Sequence, residues 1–160
     1  MRIKVRRAVV DDAEAIAGIH VTAWRETYAH LVSAEKLAVL NPDDRVERWR
    51  EIITGPEETA WIAELDGVPV GWATTSSRDA AVEPRGLELN GIYALATVHG
   101  SGVGQALLDR AIGIGGAYLW AASDNPRAQA FYRRNGFSPD GESRDYELLA
   151  TSVPIVRWVR

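Results

Sequence analysis

Residues His99-Gly100-Ser101-Gly102-Val103-Gly104-Gln105 place three alternating glycines directly ahead of an apolar helical pattern made by Val103, Ala106, Leu107 and Ile112. Glycine lets a backbone turn sharply and lets amide N–H groups come close to a ligand. The helix that follows adds unpaired donors and a partial positive charge at its N-terminus. A loop of this kind suits a phosphate or pyrophosphate, although a tight strand-to-helix turn that binds nothing would use the same residues. A Walker A loop is excluded, because Gly104 is followed by Gln105-Ala106 instead of a lysine and a hydroxyl residue. A dinucleotide fingerprint is opposed by Leu107, which stands where its third glycine belongs, even though Asp124 lies 20 residues after Gly104, where a ribose-binding acid would sit.

A second segment, Trp120 to Phe137 (WAASDNPRAQAFYRRNGF), follows at short distance. The two segments together closely resemble the GNAT superfamily of acyl-CoA-dependent N-acetyltransferases, whose loop pattern is Gln/Arg-x-x-Gly-x-Gly/Ala and whose next motif is similar to Asn-x-x-Ala-x-x-Phe-Tyr-x-x-x-Gly-Phe. The resemblance implies acetyl-CoA as co-substrate. Its pantetheine arm would lie along a strand edge at Ile92, Tyr93 and Ala94, and its pyrophosphate on the amides of His99, Gly100, Ser101, Gly102, Val103, Gly104 and Gln105. It also implies direct attack of an amine on the thioester, with a backbone N–H around Tyr93 to Leu95 polarising the carbonyl. Tyr132 matches the family's general acid, and Asn125 matches a polar contact to the cofactor. His99 departs from the pattern, which puts the side-chain contact to phosphate in doubt while the backbone contacts persist.

Read without the resemblance, Tyr132 is a core aromatic beside Phe131 on an amphipathic helix, and Asn125, directly before Pro126, is a helix cap. Glu88 is the first choice for the base that takes the amine proton, since partial burial at the start of a central strand can raise a carboxylate's pKa; an exposed strand-edge charge is the other reading. His20, Trp24 and Tyr28 are spaced by four and line one helix face. Trp24 and Tyr28 are the candidate acceptor contacts on that face, and core packing is the alternative.

These residues need elements to position them. Alternation at Ile3 to Arg7 predicts a first strand, and Asp11 or Asp12 predicts the cap of a helix that runs to about Tyr28, with Glu14 three residues after Asp11 as in a capping box. Ser33 and Asn41-Pro42 predict two further helix starts, and Gly55-Pro56 a stop. Thr59 to Leu65 and Val68 to Ser76 flank Asp66-Gly67 as a hairpin, and Leu87 to Leu95 reads as a strand with a bulge near Gly91. A helix from about Gly102 to Ile112, a strand from Tyr118 to Ala122, a helix from Pro126 to Asn135 and a closing hairpin through Tyr146 and Val156 complete the order. Asp109 to Ala117 is short and glycine-rich, which bears on adenosine contacts or a dimer surface. The expected class is α+β (mixed α/β): a mostly antiparallel sheet of about six or seven strands with about four or five helices, in one domain over residues 1–160.

Composition narrows the function. A chain of 160 residues with 46% hydrophobic residues can hold a sizeable core. Zero cysteines exclude a disulfide framework, a thiolate zinc site and a thiol nucleophile, and favour a reducing compartment. Three scattered histidines give no metal site. A net charge of −4 with mixed signs argues against nucleic acid, and no apolar run or signal-like start points to a membrane, so the expected location is cytoplasmic. The reading that results is an acetyl-CoA-dependent N-acetyltransferase acting on a small-molecule or peptide amine, with a homodimer compatible by resemblance. A non-catalytic acyl-CoA sensor is the alternative, and a nucleotide-binding dehydrogenase-like domain a weaker one.

Overall fold

The computed structural model describes residues 1–81 and 83–160. Its elements are β1 (Ile3–Arg7), α1 (Ala13–Tyr28), α2 (Ala34–Ala38), α3 (Asp43–Thr54), β2 (Thr59–Leu65), β3 (Val68–Ser77), β4 (Leu87–Ala94), α4 (Val103–Ile112), β5 (Tyr118–Ala122), α5 (Pro126–Arg134), β6 (Ser138–Leu148) and β7 (Thr151–Val159). The seven strands form one sheet in the order β1-β2-β3-β4-β5-β7-β6. Every neighbouring pair is antiparallel except β4 and β5. That parallel pair needs a crossover, and α4 supplies it.

Local chemistry explains most of these boundaries. Asp66 and Gly67 both take positive φ, as the tight β2–β3 turn requires. Of the two predicted caps Asp12 takes the N-cap position of α1, and in place of an Asp11–Glu14 box there is a short 3-10 turn over Val10–Asp12, in which the Asp12 carboxylate accepts from the Val9 amide at 2.7 Å and pairs with Arg6. The guanidinium of Arg6 selects Asp12, because Asp12 can serve both partners at once. Ser33 caps α2 by accepting from the Lys36 amide, while Pro42 precedes α3 by one residue instead of opening it.

Both sheet faces are covered. On one, α4 and α5 pack Val103, Leu107 and Tyr132 against Trp61, Leu89, Leu119 and Trp158. On the other, Ile16 and Ile19 of α1 and Trp49 of α3 pack on Ile62 and Trp72. The glycine-rich stretch after α4 begins with Gly113 in positive φ and is held by Arg160, whose guanidinium donates to the Gly113, Gly115 and Asn135 carbonyls. Among the described residues no helix is long and apolar enough to cross a membrane.

Candidate functional site

The β4–β5 pair opens almost as soon as it forms. Glu88 faces Tyr118, and no further residue pair joins the two strands in register. A bulge in β4 places Gly91 opposite Thr74 while Leu89 sits opposite Thr75. A Cβ at Gly91 would stand 2.9 Å from the Trp72 ring, so the strand can hold this path only with glycine there. Beyond the bulge the Leu95 amide donates to the Val70 carbonyl, and the alternation of an antiparallel ladder then turns the N–H and C=O of Ala94 away from β3, toward the opening. Ile92 shares that orientation. The Ala94 N–H and the Ile92 groups are strand-edge groups of the kind an extended amide-bearing ligand can join, while the Ala94 carbonyl is taken by His99 Nε2.

Both parallel strands run into helix N-termini at the same end of the opening. After β4 the chain passes a 3-10 turn at Ala96–Val98 and then Gly100 and Gly102, which have φ of +80° and +95°. Gly102 precedes α4 with no side chain to cap it; the Ser101 hydroxyl takes the Val103 amide at 3.4 Å, and the Gly104 and Gln105 amides face outward without intrahelical partners. A Cβ on Gly104 would meet the Phe131 ring no closer than 3.7 Å, an ordinary contact, so packing does not demand glycine at that position. After β5 the Asn125 carbonyl oxygen Oδ1 accepts from the Ala128 amide at 3.3 Å and caps α5. The capping role is thus real, and the Asn125 Nδ2 group remains free to serve a ligand.

His99 reaches across this end. Its Nε2 lies 3.0 Å from the Ala94 carbonyl and its Nδ1 contacts Arg127. Arg127 can only donate, so Nδ1 accepts, and Nε2 carries the proton given to Ala94. Gln105 uses its side chain on Asp109 and Asn135, leaving its backbone as the group toward the loop.

Four phenols gather behind the opening. Tyr132 of α5 is buried, and burial together with the nearby Tyr28 phenol pushes its pKa well above the ordinary tyrosine value. Tyr28 and Tyr93 place their phenol oxygens 2.6 Å apart, and both are pushed up by burial, with Tyr146 adding to each. Tyr93, expected as a strand-edge residue, thus sends its side chain to α1 and leaves its neighbours Ile92 and Ala94 to face the opening.

The His20, Trp24 and Tyr28 face is the start of a larger aromatic wall. His20 stands 4.5 Å from Trp24, 5.7 Å from Trp49 and 5.2 Å from Trp72, ring centre to ring centre, and Trp72 stands 5.0 Å from Tyr93. Burial, then the charge of Arg45, drives the His20 pKa down to about 3, so its ring is neutral. Trp49, Trp72 and Arg45 escaped the sequence reading because they come from elements far apart in the chain; six tryptophans in 160 residues was the available signal. Glu26, also missed, accepts from the Ala96 amide at 2.8 Å and ties α1 to the end of β4.

Glu88 stands apart from this assembly. Its carboxylate accepts from Arg78 at 2.8 Å and from the Tyr118 phenol at 3.1 Å, at the closed end of the β4–β5 pair. Four residues of strand, about 13 Å, separate it from Ile92. Among the described residues no group of His, Asp or Glu is arranged to hold a metal ion.

The profile described as the Acetyltransferase (GNAT) family matches residues 14–137. The uncharacterized N-acetyltransferase YuaI of Bacillus subtilis strain 168 is 27% identical over 150 residues, covering 89% of this chain and 83% of the relative. Among solved structures, the PaiA N-acetyltransferase of Thermoplasma acidophilum in complex with coenzyme A superposes with a TM-score of 0.72 at 18% identity over 98% of both chains. YncA of Salmonella typhimurium with its cofactor acetyl-CoA superposes with a TM-score of 0.69 at 18% identity, over 100% of this chain and 94% of that one.

Proposed function

The chain belongs to the GNAT acetyltransferase family, and from that premise we propose that it transfers an acetyl group from acetyl-CoA to an amine by direct attack within a ternary complex. The observation that carries this reading is the opening between β4 and β5, where free strand-edge groups, two helix N-termini and the buried phenol of Tyr132 converge. The pantetheine arm adds to the edge at Ile92 and Ala94, and the pyrophosphate sits on the loop amides of Gly100, Gly102, Gly104 and Gln105, with Asn125 beside it; the His99, Ser101 and Val103 amides donate to Ala96, Val98 and the Ser101 hydroxyl instead. Two proteins of the same fold hold coenzyme A and acetyl-CoA.

The amine nitrogen attacks the thioester carbon while the carbonyl electrons move to oxygen, where the Ala94 N–H stabilises them; the Leu95 N–H is already given to Val70. As the oxyanion collapses the C–S bond breaks, and the thiolate takes the Tyr132 proton. The nitrogen gives up its proton to water; Glu88, the base expected from the sequence, is held by Arg78 and Tyr118 about 13 Å along the strand and is not placed to take that proton directly. Trp24 and Tyr28 form one side of the acceptor's site. The absence of cysteine supports direct transfer over an acyl-cysteine intermediate, and supports a cytoplasmic place of action.

Calorimetric titration with acetyl-CoA, CoA and NAD, beside a thiol-release screen across amines with wild type and Tyr132→Phe, tests the reading. Coenzyme A binding with turnover that depends on Tyr132 supports it. Coenzyme A binding with no turnover on any amine favours a sensor, and preference for NAD overturns the assignment.

A further inference from the structure

We propose that the amine acceptor carries a carboxylate, which seats on the aromatic wall against Arg45, His20 Nε2 and the indole N–H of Trp24. The inference rests on the acetyltransferase reading and narrows it to amino-acid or peptide acceptors.

Five buried side-chain nitrogens lack a hydrogen-bond partner among the described residues, and three of them, on His20, Trp24 and Trp72, belong to this one wall. An indole nitrogen can only donate. The Trp49 indole donates to His20 Nδ1 at 3.1 Å, so the His20 proton is on Nε2, and all three unpartnered groups are donors. Leaving a buried donor unpaired costs stability, and a cluster of them calls for something that accepts.

The charge nearby has the same sense. The Arg45 guanidinium lies 5.2 Å over the Trp24 ring, and among the described residues no carboxylate pairs with it. Its field falls on the neutral His20 ring. A cation and three donors with no acceptor among them are complementary to an anion with two oxygens, and hostile to a second ammonium group. The wall is continuous with Tyr93 on β4 through Trp72, and with Tyr28 through Trp24, so an acceptor anchored there extends its amine toward the opening between β4 and β5. The slightly acidic chain as a whole suggests a cationic acceptor; the local groups point the other way, and local groups decide binding.

Two measurements test this. In the first, amino acids and dipeptides are compared as acceptors with their carboxamides and with the decarboxylated amines; the chain's lack of cysteine keeps thiol detection clean. The expected result is at least about a tenfold advantage in kcat/KM for the carboxylate form, erased in Arg45→Gln mainly through a higher KM. Equal or better use of the carboxamides or decarboxylated amines overturns the proposal. The second measurement needs no turnover. Indole N–H resonances, assigned through Trp24→Phe and Trp72→Phe, are followed as the same carboxylates and carboxamides are added. A shift of the Trp24 resonance by carboxylates alone, absent in Arg45→Gln, supports the site even if no amine is acetylated, in which case the enzyme reading fails and the site stands. No carboxylate-specific shift up to millimolar concentration overturns it.

Discussion

The phenol oxygens of Tyr28 and Tyr93 lie 2.6 Å apart and tie the last turn of α1 to β4 just beyond its bulge. The contact fixes the distance between the aromatic wall and the strand edge proposed to hold the acyl group. Tyr28→Phe deletes one phenol and leaves the other buried without its partner, a loss of about 1–3 kcal/mol for an unsatisfied buried polar group. Tyr28→Phe with Tyr93→Phe is expected to be less destabilising than the two single changes summed, because neither oxygen is then stranded. Urea denaturation of the four proteins in a double-mutant cycle reads this coupling, and strict additivity would show that the pair contributes no more than its packing.

Tyr132→Phe keeps the ring that packs against Phe137 and Trp158 and removes the proposed proton donor. The expected result is a fall in kcat of about 100-fold or more with unchanged acetyl-CoA affinity. Because the Tyr132 phenol is pushed above its ordinary value of 10.0, the acid stays protonated across the physiological range, and its loss cannot be the cause of any alkaline decline below that value. The same shift has a stability consequence. Tyr28, Tyr93 and Tyr132 hold their protons more tightly folded than unfolded, so stability is intact below pH 10 and declines as pH rises beyond it. Denaturation midpoints from pH 8 to 11 check the sign.

The linear pattern revealed contacts made within a few residues and missed those made across the sheet. Asp66-Gly67, the alternating glycines and Asn125-Pro126 act on backbone within three residues of themselves, so their turns and caps were legible in order and position. Asp11 and Asp12 were equally legible as caps of α1, and Arg6, from a different element, decides between them by pairing with Asp12. Glu88 was legible as a strand carboxylate, whereas its engagement by Arg78 and Tyr118 depends on where β3 and β5 come to lie. The aromatic wall is the clearest case. One face of α1 announces it, and three other elements complete it through Trp49, Trp72, Tyr93 and Arg45.

Gly91 is a glycine demanded by the fold, whereas packing makes no such demand at Gly104, which is proposed to serve the cofactor. Gly91→Ala drives a methyl to 2.9 Å from the rigid Trp72 ring, so about 1–3 kcal/mol of stability is expected to go, with β4 displaced. Gly104→Ala meets Phe131 at an ordinary distance and adds helix propensity, so the fold should keep its stability or gain slightly. If the amides around Gly104 hold pyrophosphate, the new methyl obstructs the approach and coenzyme A affinity falls about tenfold or more. Thermal denaturation and calorimetric titration of the two variants, side by side, distinguish the roles; unchanged affinity in Gly104→Ala would remove that position from the cofactor site.

His20 supplies a pH dependence that originates in the aromatic wall. Burial, reinforced by Arg45, lowers its pKa from 6.5 to about 3 in the folded chain. Between those values the unfolded chain binds a proton that the folded chain refuses, so this contribution is fully present above pH 6.5 and is lost as pH falls toward 3. By pH 5 the loss amounts to about 2 kcal/mol at 1.36 kcal/mol per unit. His20→Asn removes the titration while its carbonyl oxygen can still accept from the Trp49 indole, which keeps the hydrogen bond now made by Nδ1. Urea titrations at pH 7 and pH 5 should therefore show wild type losing more stability than His20→Asn across that interval. Equal losses would mean that the imidazole is solvated in solution and that the wall is open at His20 before any acceptor binds.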